Sequence, residues 1–169
     1  SSEKLMKFIP SLYQSSLIAI LALTLSVTSS VSAGKFVPYK SKGVAGLFAQ
    51  PAPGEIVSGA DSGNATHLGK YESTLDLLVL PLFDGPNFVG LKFVGPTTIH
   101  AANGDLVESI LDVDLDLATN SITGIYTVVG GTGRWDGASG GGDLKGAVNA
   151  DGTFSYTTKG VISRPKSKK

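Results

Sequence analysis

A chain of 169 residues fits one domain and is long enough to close a sizeable core. It contains no cysteine, which excludes disulfides, thiol nucleophiles, cysteine zinc ligands and lipidation of an N-terminal cysteine. A formal charge of zero with 17% charged residues leaves no field to draw it onto nucleic acid or an anionic membrane. Its 22 glycines, without long helix-forming runs, favour an all-β chain rich in turns.

Residues 1–33 read as a signal peptide with a short upstream extension. Lys4 and Lys7 precede the apolar run Leu17–Val27, LIAILALTLSV, which is shorter than the about 20 residues a bilayer span needs. Val31-Ser32-Ala33 supplies the small residues that a signal peptidase reads, so cleavage is expected between Ala33 and Gly34. Met6 is the natural start in this reading, and Ser1–Leu5 the extension. Cleavage leaves no stable membrane anchor and places the protein outside the cytoplasm, secreted or periplasmic.

The barrel domain is expected over residues 34–162. Lys35–Gln50 is a first strand, best defined over Val44–Phe48, and Pro51 and Pro53 end it. Ile56–Ala60 is a short second strand, after which Asp61-Ser62-Gly63-Asn64 reads as a turn by composition. Asn64-Ala65-Thr66 also matches the glycosylation acceptor triplet. Thr66–Leu80 is a long strand with Tyr71, Ser73, Leu75, Leu77 and Val79 on one face and Glu72, Thr74, Asp76, Leu78 and Leu80 on the other. Pro81–Asn87 is a loop. Phe88–Ala102 resumes the sheet, with a bulge or bend at Gly95-Pro96.

Asn103-Gly104 is a strong hairpin signal, because both residues tolerate the positive φ of a type I′ turn. The following strand, Leu106–Leu117, places Leu111, Val113, Leu115 and Leu117 on one face and Asp112, Asp114 and Asp116 on the other. A calcium loop starting at Asp112 would need glycine where Leu117 stands and glutamate where Thr123 stands. The three aspartates therefore read as a solvated face that discourages strand addition.

Ile122–Val129 leads into the segment YTVVGGTGRWDGASGGG, Tyr126–Gly142, which holds the one tryptophan. Gly130, Gly131 and Gly133 permit a sharp corner at which Trp135 buries its ring, flanked by Arg134 and Asp136 as braces. A phosphate cradle fails on spacing: Asp136 stands where a dinucleotide fingerprint needs glycine, and Gly-Lys-Ser/Thr never occurs. Leu144–Asn149 and Thr153–Ile162 flank a second hairpin signal at Asp151-Gly152. Residues 163–169 form a basic flexible tail.

The combination of THLGKY, AANGD, YTVVGGTGRWDGASG and a closing hairpin on DG resembles the small secreted proteins of the allene oxide cyclase and dirigent-like barrel family. The likeness covers residues 43–162, and the GGTG-aromatic-x-x-A-x-G segment lies closest to dirigent proteins. The resemblance implies an antiparallel β-barrel of about eight strands with a filled or ligand-sized interior, and a homotrimer. It also implies a function in cyclisation or in steering the coupling of bound radicals. No catalytic residue of that family carries over position by position.

Only two histidines occur, so a multi-histidine metal centre is excluded. His67 and His100 become general acids or bases only if they face the barrel interior beside a carboxylate such as Glu72 or Asp76. Tyr71, Tyr126 and Tyr156 are candidate polar handles for a mainly apolar ligand. No cofactor motif is present. Two functions fit: a barrel that binds a small apolar molecule or serves assembly, and a cofactor-free cyclase or isomerase. The export reading is checked by mass spectrometry of mature protein, which should begin at Gly34; secreted material retaining Met6–Ala33 would refute it.

Overall fold

The computed structural model describes residues 34–164, and the side chains up to Ser163. The expected signal-peptide segment, residues 1–33, and the last five residues of the expected tail lie outside the described residues. Eight strands follow one another: β1 (Lys35–Leu47), β2 (Ile56–Ala65), β3 (Gly69–Asp84), β4 (Asn87–Ala101), β5 (Leu106–Asp116), β6 (Ser121–Gly131), β7 (Gly140–Val148) and β8 (Phe154–Arg164). Each pairs antiparallel with its neighbours in sequence. β1 then pairs with β8 from Lys35↔Arg164 to Ala45↔Phe154, closing the sheet into a barrel. Closure removes both sheet edges, so every strand has a hydrogen-bonding partner on each side.

Alternation along each strand decides what faces inward. On β3 the inward set is Tyr71, Ser73, Leu75, Leu77 and Val79, all buried, while Glu72, Thr74, Asp76, Leu78 and Leu80 are exposed. On β5 Val113 and Leu115 are buried, and Asp112 and Asp114 lie outside, bridged by Lys92 of β4. Their carboxylates hold the Lys92 ammonium above its usual pKa. This is the solvated aspartate face expected from the sequence.

Several local expectations are corrected. Asp61-Ser62-Gly63-Asn64 is no turn: β2 runs unbroken to Ala65, and the reversal falls on Thr66–Leu68, where His67 takes φ +72°. Pairing to β1 on one side and β3 on the other holds these turn-prone residues extended. Pro81–Asn87 is mostly strand, because β3 continues to Asp84 and only Gly85-Pro86 turns. Gly95-Pro96 carries no register shift; the irregularity lies at Leu82/Phe83. Gly95 instead lets two backbones approach, since a Cβ there would sit 2.1 Å from the Asp76 carbonyl oxygen. The Asn103-Gly104 and Asp151-Gly152 hairpins form, but only Gly104 (φ +85°) and Gly152 (φ +81°) are left-handed. Each is a three-residue loop ending on glycine, which needs one positive φ where a type I′ turn needs two. β8 also extends through Ser163 and Arg164, two residues beyond the expected domain end, and Ser163 Oγ accepts a hydrogen bond from the Ser139 N–H at 2.8 Å.

The glycine-rich corner is a single 3-10 turn, Gly133–Trp135, between β6 and β7. Of the three glycines expected to reverse the chain, only Gly133 has positive φ (+58°), and Gly137 (φ +71°) completes the turn. Gly131 serves close approach, with the Trp135 Cβ 2.8 Å from where its own would stand. Arg134 pairs with Asp105 at 3.3 Å rather than with Asp136, and its guanidinium lies 5.3 Å from the centre of the Trp135 ring. The ring has no solvent exposure and packs in a cluster with Leu68, Val107, Val128, Ala138 and Ile162. These residues plug the end of the barrel at which β1 begins and β8 finishes. Trp135→Ala should therefore cost about 3–5 kcal/mol, read by denaturant unfolding; an unchanged midpoint would show that the plug is not part of the core.

Candidate functional site

A cavity of about 100 Å³ lies inside the barrel, about three times a water's share of liquid volume. Leu75, Leu77, Phe93, Val113, Ile122 and Leu144 form its apolar half. Toward the Trp135 end the wall becomes aromatic and hydroxylated. Four tyrosines, Tyr39, Tyr71, Tyr126 and Tyr156, reach it.

Register explains how so many large rings fit one layer. Tyr156 of β8 pairs with Gly43 of β1, Gly43 with Gly63 of β2, and Gly63 with Tyr71 of β3. The two tyrosines lean across the paired glycines, and their hydroxyls meet at 2.6 Å. A Cβ on Gly43 would stand 2.8 Å from Tyr156 Oη and 2.9 Å from Tyr71 Oη; one on Gly63 would stand 2.7 Å from Tyr71 Oη. The same arrangement recurs on the other side of the β1–β8 seam: Tyr39 pairs with Gly160, Gly160 with Gly142, and Gly142 with Tyr126. Here the rings meet tilted, with centroids 5.8 Å apart.

A polar belt crosses the cavity at its waist. Three cross-strand pairs supply it: Ser41 with Thr158, Thr97 with Ser109, and Asp61 with Ser73. The first two are joined by 2.7 Å hydrogen bonds between their hydroxyls. In the third, Asp61 Oδ1 and Ser73 Oγ are buried without a hydrogen-bond partner in the protein. Burial raises the Asp61 pKa above its ordinary 3.8, and the nearby Ser73 and Tyr156 hydroxyls offset part of the rise. Burial likewise raises the phenol pKa values, that of Tyr126 to about 12 and those of Tyr39, Tyr71 and Tyr156 also above the usual 10. At neutral pH all four phenols are un-ionised.

The residues singled out from the sequence divide sharply. Tyr71, Tyr126 and Tyr156 all line the cavity. His67 sits in the β2–β3 turn with Nε2 3.1 Å from the Pro38 carbonyl oxygen. His100 and Glu72 are cross-strand partners on the outer wall, and Asp76 lies on the same wall, accepting a hydrogen bond from Ser58 Oγ. The interior holds none of these four. Asp61 is the acidic residue of the cavity wall, and sequence reasoning missed it because its turn-like neighbours hid the alternation Val57, Gly59, Asp61, Gly63, Ala65. Tyr39 was also missed, although Val37-x-Tyr39-x-Ser41 alternates in the same way. No protein-family model matches the chain, and no curated protein matches it in sequence.

The raised Asp61 pKa has a definite sign for stability. The fold favours the protonated carboxyl, so this contribution is complete below pH 3.8 and is lost as pH rises through the folded-state value. In its charged form the carboxylate, near Tyr39, Tyr71 and Tyr156, is a net cost to the fold. Asp61→Asn should raise the melting temperature at neutral pH, and the gain should vanish below pH 3.8. A wild type that melts higher at neutral pH would show that the carboxylate is well paired in the folded protein.

Proposed function

We propose that this protein is an extracytoplasmic barrel that holds a small, mainly apolar molecule in its interior. The observation that carries the reading is the cavity inside the barrel, apolar over one half and lined elsewhere by tyrosines and hydroxyls. A closed barrel of this size either fills its interior with side chains or keeps a ligand-sized space. Here the paired glycines Gly43/Gly63 and Gly142/Gly160 withhold side chains where the tyrosines converge. The resemblance to the allene oxide cyclase and dirigent-like family supports the same reading.

Outside, Ile56, Leu78, Leu80, Phe83 and Phe88 are exposed on adjacent strands β2, β3 and β4. An apolar band of this kind favours a contact between copies, in keeping with the homotrimer that the resemblance implies. A second reading, a cofactor-free cyclase or isomerase or a dirigent-type protein, is favoured by Asp61. A carboxyl with a raised pKa beside the Tyr156 hydroxyl supplies an acid–base group inside a shaped apolar space.

Native mass spectrometry of protein purified from its own host tests these readings together. A trimer with a releasable apolar molecule is the expected result, and a monomer carrying nothing would overturn both the pocket and the trimer. Incubation of the released molecule with fresh protein separates binding from catalysis. Recovery unchanged supports the binder, and a rearranged isomer of the same mass supports the enzyme.

A further inference from the structure

Resting on the reading of a small apolar occupant, we infer that the occupant ends in a protonated amine, held at the barrel waist by the Asp61 carboxylate and the surrounding tyrosines. The cavity wall includes no lysine, arginine or histidine. Asp61, half-buried, thus has no cation from the described residues of the cavity wall; the Ser73 and Tyr156 hydroxyls lie close to its carboxyl, and Oδ1 is buried without a hydrogen-bond partner. An unpaired buried charge is costly, and a cation brought by the ligand removes that cost while supplying the missing N–H. Ser73 Oγ, directly across the β2–β3 pairing, is a second buried oxygen; with its proton turned to Asp61, its lone pairs are left to accept. An ammonium head carries three donors and no acceptor, which suits two adjacent unsatisfied oxygens better than a hydroxyl with one proton.

The aromatic surroundings point the same way. Tyr39, Tyr71 and Tyr156 all lie near enough to Asp61 to interact with it electrostatically, and all three line the same cavity. Aromatic faces attract ammonium ions through their quadrupole, more strongly where water is excluded. An anionic head would meet Asp61 as a like charge and is disfavoured. The space available, about 100 Å³, suits a small molecule, with the apolar half of the cavity taking the chain.

Calorimetric titration at neutral pH with hexylamine, hexanol and hexanoate, which share one alkyl chain and differ in the head, tests the inference. Hexylamine should bind at least about tenfold more tightly than hexanol, the equivalent of about 1.4 kcal/mol, with hexanoate weakest. In Asp61→Asn the amine preference should disappear while hexanol binding stays within about threefold of wild type. Hexanol equalling or exceeding hexylamine in the wild type overturns the amine head and leaves the apolar pocket standing. An amine preference that survives Asp61→Asn overturns the role of the carboxylate. Failure of all three to bind overturns both the amine head and the pocket.

Discussion

Closure of the sheet is the constraint on which the other features depend. Once β1 hydrogen-bonds to β8, the circumference is fixed and each side chain is assigned to the interior or to the outer wall. The inward faces must then share a limited volume. Leucines, valines and phenylalanine fill one half, and the Trp135 corner plugs the far end. Between them the wall changes from apolar to phenolic, because two pairs of strands present glycine to glycine and let tyrosines from the flanking strands lie across the gap.

The glycine pairs connect backbone and chemistry. A side chain at Gly43 or Gly63 would occupy the point at which the Tyr71 and Tyr156 hydroxyls meet. Glycine in a strand interior is ordinarily a weakness, but here the lost contacts are replaced by tyrosine rings from neighbouring strands. The same clearance leaves the waist open enough for a carboxylate, and burial there drives Asp61 toward its neutral form. Asp61 has no counterpart of opposite charge on the described cavity wall, and Ser73 Oγ and Tyr126 Oη beside the same space are likewise without hydrogen-bond partners.

Much of this was legible in the residues. Alternation identified the inward faces of β3 and β5, because one apolar set and one polar set follow each other without interruption. Asn103-Gly104 and Asp151-Gly152 marked real hairpins, although a single left-handed glycine suffices in each. The tryptophan corner was legible because only glycine tolerates such close packing on both sides of a large ring. β2 was not. Asp61, Ser62, Gly63 and Asn64 each favour turns locally, and only pairing with β1 and β3, a long-range effect, keeps them extended. The error moved the acidic residue of the cavity onto a surface loop, and attention went to His67, His100, Glu72 and Asp76, whose side chains alternate outward. Composition identifies groups that can do chemistry; register decides which of them share a space.

The seam that closes the barrel also sets an order in time. Hydrogen bonds such as that from the Ser41 N–H to Thr158 Oγ1 join residues 117 positions apart, whereas the other seven strand pairs are local hairpins. Joining such distant segments costs loop-closure entropy before any contact rewards it, and chains dominated by distant pairings fold on the slow side of the small-domain range. The hairpins can assemble as a curved open sheet, but its two edges stay unpaired until β8 exists. Until that moment there is no interior, no buried carboxylate and no cavity. The cavity is therefore completed in the same step that removes the sheet's unpaired edges.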